Sequence, residues 1–392
     1  MALRIWDGCG WEGSLGFRSL QNKSLVEVDI ENKIRMHDHL RDLGRDLAKD
    51  QTLPRRIWRT EDFEDLFLQS SVVTEVRGIC MRWTKNEVPS FSGCKMRNLQ
   101  LLDIDGGGDL TESILRLVHS TNLIWFRRHN CGGHSSLPSW ISMMKLRVLE
   151  MEGWNSKKWW QKESQPPLQL RELRIYSSET LRSLPDFFGK LANLQHLSLS
   201  HLGSLEMLPD SLGNLTNLQH INLSHSPALK WLPDSLGNLK NLQHINLSYS
   251  SLNWLPNSFG NLKNLQHINL SYSSLNRLPD SFGNLTKLKY LDLRGCLNLT
   301  MSTQTLRTIL RDVTEFHHSE GVDHDRSDPP EQDSEAVGWE LFGTGHGQDS
   351  EAVGWEPFGT GHGQDSEAVG LGHGSERFER LGPGQWWCCS IL

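Results

Sequence analysis

The sequence predicts an α/β solenoid, a curved parallel sheet built from short stacked units, and three observations carry that prediction. The first is a spacing. A core signature L-x-x-L-x-L begins at Leu99, Leu123, Leu146, Leu170, Leu194, Leu218, Leu242, Leu265 and Leu288, steps of 23 or 24 residues, with a weaker copy at Val76, Ile79 and Met81. That period lies in the leucine-rich-repeat range, where a unit cannot bury its apolar face alone and must stack on its neighbours. The second is punctuation. From Leu184 to Tyr290 the units read L-P-D-S-L-G-N-L-x-N-L-Q-H-I-N-L-S, with proline at 185, 209, 233, 256 and 279 to stop each strand. The third is the seven cysteines, scattered without a C-x-x-C pair, which argue against zinc, against a disulfide framework and for a reducing compartment.

Within a unit the strand residues alternate faces, so Ile and Leu point inward while His, Asn and Ser point outward. Asp210, Asp234, Asn257 and Asp280 are expected to cap a short helical turn, and Gly213, Gly237, Gly260 and Gly283 to let the chain turn back. Stacking then aligns outward residues in rows about 4.8 Å apart. His196, His220, His244 and His267 form one row; Ser198, Asn222, Asn246 and Asn269 a second; Ser200, Ser224, Ser248 and Ser271 a third; Tyr290, Asp292 and Arg294 end them with different chemistry. These rows are the candidate protein-binding face. A nearly collinear line of imidazoles cannot wrap a tetrahedral ion, so no metal is expected; a solvated polar ladder and a pH-sensitive contact face remain open. Trp231, Trp254 and Arg277 align at the rim, either as interaction anchors or as cover for the neighbouring turn.

Ahead of the array, residues 1–52 form a small module. A short helix over Leu15–Leu20 precedes alternating Val26, Val28 and Ile30, a turn at 31–33, and Ile34 and Met36, a hairpin signature. Met36, Leu40, Leu43 and Leu47 then make one helical stripe. Helix, hairpin, helix is the order that closes a winged-helix-like fold.

The stretch KIRMHDHLRDLGR (33–45) resembles the M-H-D motif and following helix that end the nucleotide-binding NB-ARC module of plant intracellular immune receptors, and RRIWRTEDFEDLF (55–67) resembles the linker into the repeats in their toll/interleukin-receptor-type members. The resemblance covers roughly 1–310 but only the last part of the switch, a form truncated to the end of NB-ARC plus repeats. It implies a disease-resistance role in defence signalling, with His37 and Asp38 at the nucleotide. No G-x-x-x-x-G-K-[ST] occurs; Gly189-Lys190 lacks the first glycine and the hydroxyl. Nucleotide binding is therefore not expected from these residues, and His37 is expected instead to cap a helix start.

The rest of the chain divides into a linker (53–75), the array (76–300), a cap helix (301–314) with Leu306, Ile309 and Leu310 on one face, and a tail (315–392). The tail repeats D-S-E-A-V-G-W-E-x-F-G-T-G-H-G-Q from Asp333, Asp349 and Asp365, a composition expected to be disordered. Residues 312–392 hold 17 Asp and Glu against 3 Arg, a net of −14, so the whole-chain −7 leaves +7 on residues 1–311. The chain closes with Cys388 and Cys389-Ser390-Ile391-Leu392, a C-a-a-X form associated with geranylgeranyl transfer at Cys389, with Cys388 as a palmitoylation candidate.

The start has no apolar signal run, and no stretch of 18 apolar residues occurs, so a cytoplasmic protein is expected, held at the plasma membrane only through C-terminal lipid. N-x-S/T sequons at Asn214, Asn222, Asn246, Asn269, Asn284 and Asn298 read as by-products of the repeat. The expectation is a non-enzymatic protein-binding module, with no metal, cofactor or nucleic-acid partner. The alternatives are a fragment of an ADP/ATP-binding switch receptor, a Ras-group-like leucine-rich-repeat scaffold, which would lack residues 33–45, and a secreted receptor ectodomain.

Overall fold

The computed structural model describes residues 13–28, 34–36, 39, 55–57, 63, 76–82, 96–105, 115, 118–129, 142–154, 166–300 and 313–318. Helix α1 (Gly13–Asn22) is followed by strands β1 (Val26–Val28) and β2 (Ile34–Met36), which pair antiparallel with Val26 opposite Met36, the hairpin that the alternation predicts. The helical stripe after Met36, with His37 and Asp38, lies outside the described residues apart from His39.

A single parallel sheet of 12 strands makes up the solenoid. In chain order these are β3 (Arg55–Ile57), β4 (Val76–Arg82), β5 (Leu101–Asp105), β6 (Trp125–His129), β7 (Val148–Glu152), β8 (Glu172–Tyr176), β9 (His196–Ser200), β10 (His220–Asn222), β11 (His244–Asn246), β12 (His267–Asn269), β13 (Tyr290–Leu293) and β14 (Glu315–His318). Each strand pairs with the next in sequence, so one period of chain advances the sheet by one strand. The first leucines of the nine repeats, Leu99 to Leu288, are all at most 3 % exposed and stack into one continuous core.

The sheet is longer than the array boundaries expected from the leucine pattern. β3 lies in the segment assigned to the linker, and β14 lies in the segment assigned to the tail, pairing Tyr290 with Glu315 and Asp292 with His317. Neither strand carries the L-x-x-L-x-L signature. The cap helix expected over 301–314 lies outside the described residues, apart from Val313 and Thr314.

Two local expectations are corrected. The turns after the prolines are 3-10 helices (Asp186–Lys190, Asp210–Asn214, Asp234–Asn238, Asn257–Asn261 and Asp280–Asn284) in which proline, not Asp or Asn, occupies the flanking cap position, and no side chain caps the first amides. The glycines do not supply a left-handed turn either. At Gly213, Gly237 and Gly260 an added Cβ would collide with the backbone carbonyl of Ser235, Ser258 and Ser281 in the next turn, so glycine is there for close approach between stacked turns. A polar clamp accompanies it: Asn193, Asn217, Asn241 and Asn264 each donate a side-chain N–H to the carbonyl of the preceding repeat, at Leu168, Ala192, Thr216 and Lys240.

Candidate protein-interaction surface

Register decides what the open face presents. Counting from the first strand position, the outward rows carry Leu101, Trp125, Val148, Glu172, His196, His220, His244, His267, Tyr290 and Glu315; then Cys80, Asp103, Arg127, Glu150, Arg174, Ser198, Asn222, Asn246, Asn269, Asp292 and His317. The first two predicted rows therefore exist as aligned rows, and the face has two chemistries.

From β9 onward the first row is a stack of rings. His196, His220, His244 and His267 lie with successive centroids 4.4 Å apart and planes within 16° of parallel. Tyr290 continues the stack at 5.9 Å, and the tilted ring of His317, from the second row, lies 5.6 Å beyond it. Burial, reinforced by the flanking His220 and His267, pushes the His244 pKa down to about 3. Burial also lowers His267, with Glu315 opposing and Lys289 assisting. Burial thus favours the neutral form of His244 and His267 near pH 7.

The second row does something that alternation and spacing do not predict. The side-chain oxygens of Asn222, Asn246 and Asn269 accept the backbone N–H two residues on, at Ser224, Ser248 and Ser271, over 3.0, 3.0 and 2.8 Å. They close Asx turns that end the strands, engaging the side-chain oxygen. These asparagines are also three of the sequon positions, and Asn246 and Asn269 are buried. Asp292 repeats the device, accepting the Arg294 N–H at 3.0 Å, and its buried carboxylate takes Arg294 Nη2 at 2.8 Å and Tyr290 Oη at 3.4 Å. The three terminal residues thus form one bonded cluster in which the half-exposed Arg294 guanidinium faces outward, its pKa raised by the hydrogen bond to Asp292. At the rim Trp231 and Trp254 are 41 % and 49 % exposed, and Trp254 aligns with Arg277 through a parallel bridge.

The half formed by β4 to β8 is a network of charges. Along the second row signs alternate: Arg127 Nε lies 3.8 Å from both Asp103 and Glu150, and Arg174 donates to Glu172 at 2.7 Å. Burial works to deprotonate Arg174, but Glu172 and Glu150 outweigh it and hold its pKa above the ordinary value. Two positions further along, Arg82 pairs with Asp105 at 2.7 Å and His129 with Glu152 at 2.6 Å. Tyr176 donates to Glu150, and burial followed by the Glu150 charge raises its pKa. Arg128 occupies the inward row held elsewhere by Ile104 and Met151, and is fully buried.

A second ring ladder has no counterpart among the predicted rows. Just past the strands, Gly153, Ser177, His201, His225, Tyr249, Tyr272 and Gly295 recur at one repeat position, all with φ between 53° and 69°. This left-handed conformation costs a non-glycine residue about 1 kcal/mol. In the middle of the row the rings stack, His201 on His225 at 4.2 Å, His225 on Tyr249 at 4.4 Å and Tyr249 on Tyr272 at 4.7 Å. At the end of the row the Tyr272 ring lies over Gly295, where a Cβ would strike it. The signal in the sequence is the recurrence of an aromatic or imidazole residue after each Ser200, Ser224, Ser248 and Ser271.

Among the described residues no group of three or more metal-ligating side chains is positioned to hold an ion, and no helix is long and apolar enough to cross a membrane. Cys388 and Cys389 lie outside them.

A parallel sheet of stacked short units with an open, side-chain-lined face defines a leucine-rich-repeat protein. Residues 142–250 match the family described as leucine-rich repeat region, 241–262 and 255–297 two further leucine-rich-repeat families, and 4–52 the winged-helix domain of Roq1-like disease resistance proteins. TMV resistance protein N of Nicotiana glutinosa is 25 % identical over 208 residues, 50 % of this chain and 17 % of that protein. In Arabidopsis thaliana, SUPPRESSOR OF npr1-1, CONSTITUTIVE 1 is 32 % identical over 204 residues (47 % and 13 %), and disease resistance protein RPP5 30 % over 210 (48 % and 14 %). The chain therefore spans less than a fifth of the length of these relatives. The crystal structure of a TLR13–ssRNA13 complex superposes with a TM-score of 0.45 at 20 % identity, over 62 % of this chain and 36 % of that one. The chain is similar to plant leucine-rich-repeat disease-resistance proteins over these stretches, as the M-H-D resemblance implied.

Proposed function

We propose that this chain is a non-enzymatic protein-binding module of plant defence whose partner docks on the open face of the solenoid. The supporting observation is the ring-and-charge surface itself: outward rows in register along the sheet. Binding residues on this reading are the imidazoles of His196, His220, His244 and His267, with Tyr290, Arg294 and the rim residues Trp231, Trp254 and Arg277. Ser198 belongs to the same face, and Asn222, Asn246, Asn269 and Asp292, also on it, hold the strand ends that present these residues. A partner captured from plant extract on the intact chain should lose affinity by about tenfold or more when His220 and His244 are both changed to Ala. Full retention would reject this face.

A second reading, favoured by the winged-helix match over 4–52, makes the module the sensing end of an ADP/ATP-operated switch, with His37 and Asp38 at the nucleotide. A longer transcript encoding the phosphate-binding loop, whose product retains ADP, would support it; a product that retains none would reject it. The lipid reading is tested separately. Changing Cys389 to Ser should release the protein from membranes, and an unchanged distribution would reject prenylation there.

A further inference from the structure

The row His201, His225, Tyr249, Tyr272 is more than a by-product of stacking. Its two ends, Gly153 and Gly295, show that glycine satisfies the same left-handed backbone position. Four successive repeats nevertheless carry rings there, against the conformational preference of the site. The rings add nothing to the leucine core, and Tyr249 and Tyr272 leave 46 % and 47 % of their surface open. Backbone continuity does not require them either, since the amides at these positions bond the next strand's carbonyls, as Tyr249 N–H does to Ser271 and Tyr272 N–H to Arg294.

These rings line an open groove of about 730 Å³ together with Glu179, Pro227 and a set of serines. Stacked face to face, they bring imidazole and phenol rings to the groove in file, with Nδ1 of His201 and of His225 buried and the half-exposed tyrosines carrying the phenol O–H groups. Burial and the adjacent Tyr272 keep the Tyr249 phenol protonated beyond its usual range, and burial keeps His225 neutral. Among the described residues no lysine or arginine lines the groove, and Glu179 is its one carboxylate. An anionic ligand has nothing to pair with there; an uncharged chain ending in a cation does.

Spacing narrows the choice. From His225 to Tyr272 the centroids advance by 4.4 and 4.7 Å. Two rungs therefore span about 9 Å, the length of one polyproline II turn of three residues at about 3.1 Å each. An extended β-strand repeats a face every ~6.7 Å and falls out of step. A polyproline II segment also carries unpaired carbonyls and few N–H groups, the complement of a file of donors.

We infer that this ladder is a docking track for a proline-rich segment of a partner protein, bound as polyproline II with a Lys or Arg against Glu179. The inference rests on the reading of the chain as a protein-binding module and names one partner chemistry for it. It is tested with the full chain and a labelled synthetic peptide of an Arg followed by Pro-Pro-x repeats, titrated by fluorescence polarisation beside an alanine-substituted control. Saturable binding is expected, weakened about tenfold or more by Tyr249→Gly with Tyr272→Gly and in the control peptide, and about threefold by Glu179→Gln. The glycine pair should melt at or above the unmodified midpoint, since glycine suits the backbone there. Should loss of stacking lower that midpoint, Tyr249→Asn with Tyr272→Asn, which also tolerates the conformation, supplies the same binding comparison. Lys240→Ala with Lys263→Ala, outside the groove lining, should leave peptide binding unchanged, which separates the track from the rest of the surface. Absence of saturable binding, or equal binding by the glycine or asparagine pair, overturns the inference while leaving the imidazole row to its own test.

Discussion

The two halves of the solenoid share one backbone plan and use opposite means to hold their open face in order. Between β4 and β8 the second outward row is cross-linked by charge, with Asp103, Arg127, Glu150 and Arg174 alternating in sign. Between β9 and β12 they are ordered by neutral groups: stacked imidazoles, Asx turns at the strand ends and glycines that let the 3-10 turns touch. A repeat fold fixes positions, not chemistry. Once leucines fill the inward rows, the outward rows can be tied by ion pairs or by ring and amide ladders, and the choice sets what each half can recognise.

The largest expected effect is in the charged half. Glu172 is fully buried against Arg174, so Glu172→Ala leaves a buried guanidinium short of its partner and should cost about 3 kcal/mol in chemical denaturation. A loss below about 1 kcal/mol would show that the pair is solvated and the contrast overstated. In the regular half the counterpart is steric. Gly237→Ala drives a methyl into Ser258 and should destabilise by about 2 kcal/mol, whereas Gly283→Ala, at the same repeat position with nothing within 4 Å, should stay within about 0.5 kcal/mol. Equal effects at the two sites would remove close approach as the reason for the glycine row.

The inward half of this architecture is legible in the amino-acid order alone. Leucine spacing, proline stops and strand alternation define the sheet, the core and the three outward rows, because each follows from a period. What a period cannot show is where a side chain spends its hydrogen bonds. Asn222, Asn246 and Asn269 have the spacing of free ligands and are strand-end caps. Gly237 has the position of a turn former and is a contact point. β14 leaves no trace in the leucine pattern because Glu315–His318 reaches the sheet by backbone pairing alone, with no leucine to announce it. The ring ladder at His201 to Tyr272 is equally silent because its defining property is a positive φ, which glycine or asparagine would have signalled and histidine or tyrosine does not.

A smaller effect should separate the Asx caps from the binding face. Asn246→Ala removes one hydrogen bond to Ser248 and should cost about 1 kcal/mol. On the proposed function it should weaken partner binding far less than the His220 and His244 pair. The smallest expected effect is that of acid. The folded-state pKa of His244 is depressed to about 3, so the unfolded chain takes up protons first as pH falls below about 6.5, and stability present at neutral pH is progressively lost toward pH 3. Amide protection factors, corrected for the slower intrinsic exchange in acid, should therefore fall in β10 to β12 between pH 7 and 5. An equal fall in β5 to β8 would mean that the imidazole ladder is not the titrating element.

The most direct measurement is the affinity of the captured partner for three versions of the chain: unmodified, His220→Ala with His244→Ala on the open face, and Lys240→Ala with Lys263→Ala on the flank, away from the ring rows. The account predicts about tenfold or greater loss for the histidine pair and no change for the lysine pair. Equal affinity across all three, or loss only with the lysines, would contradict it.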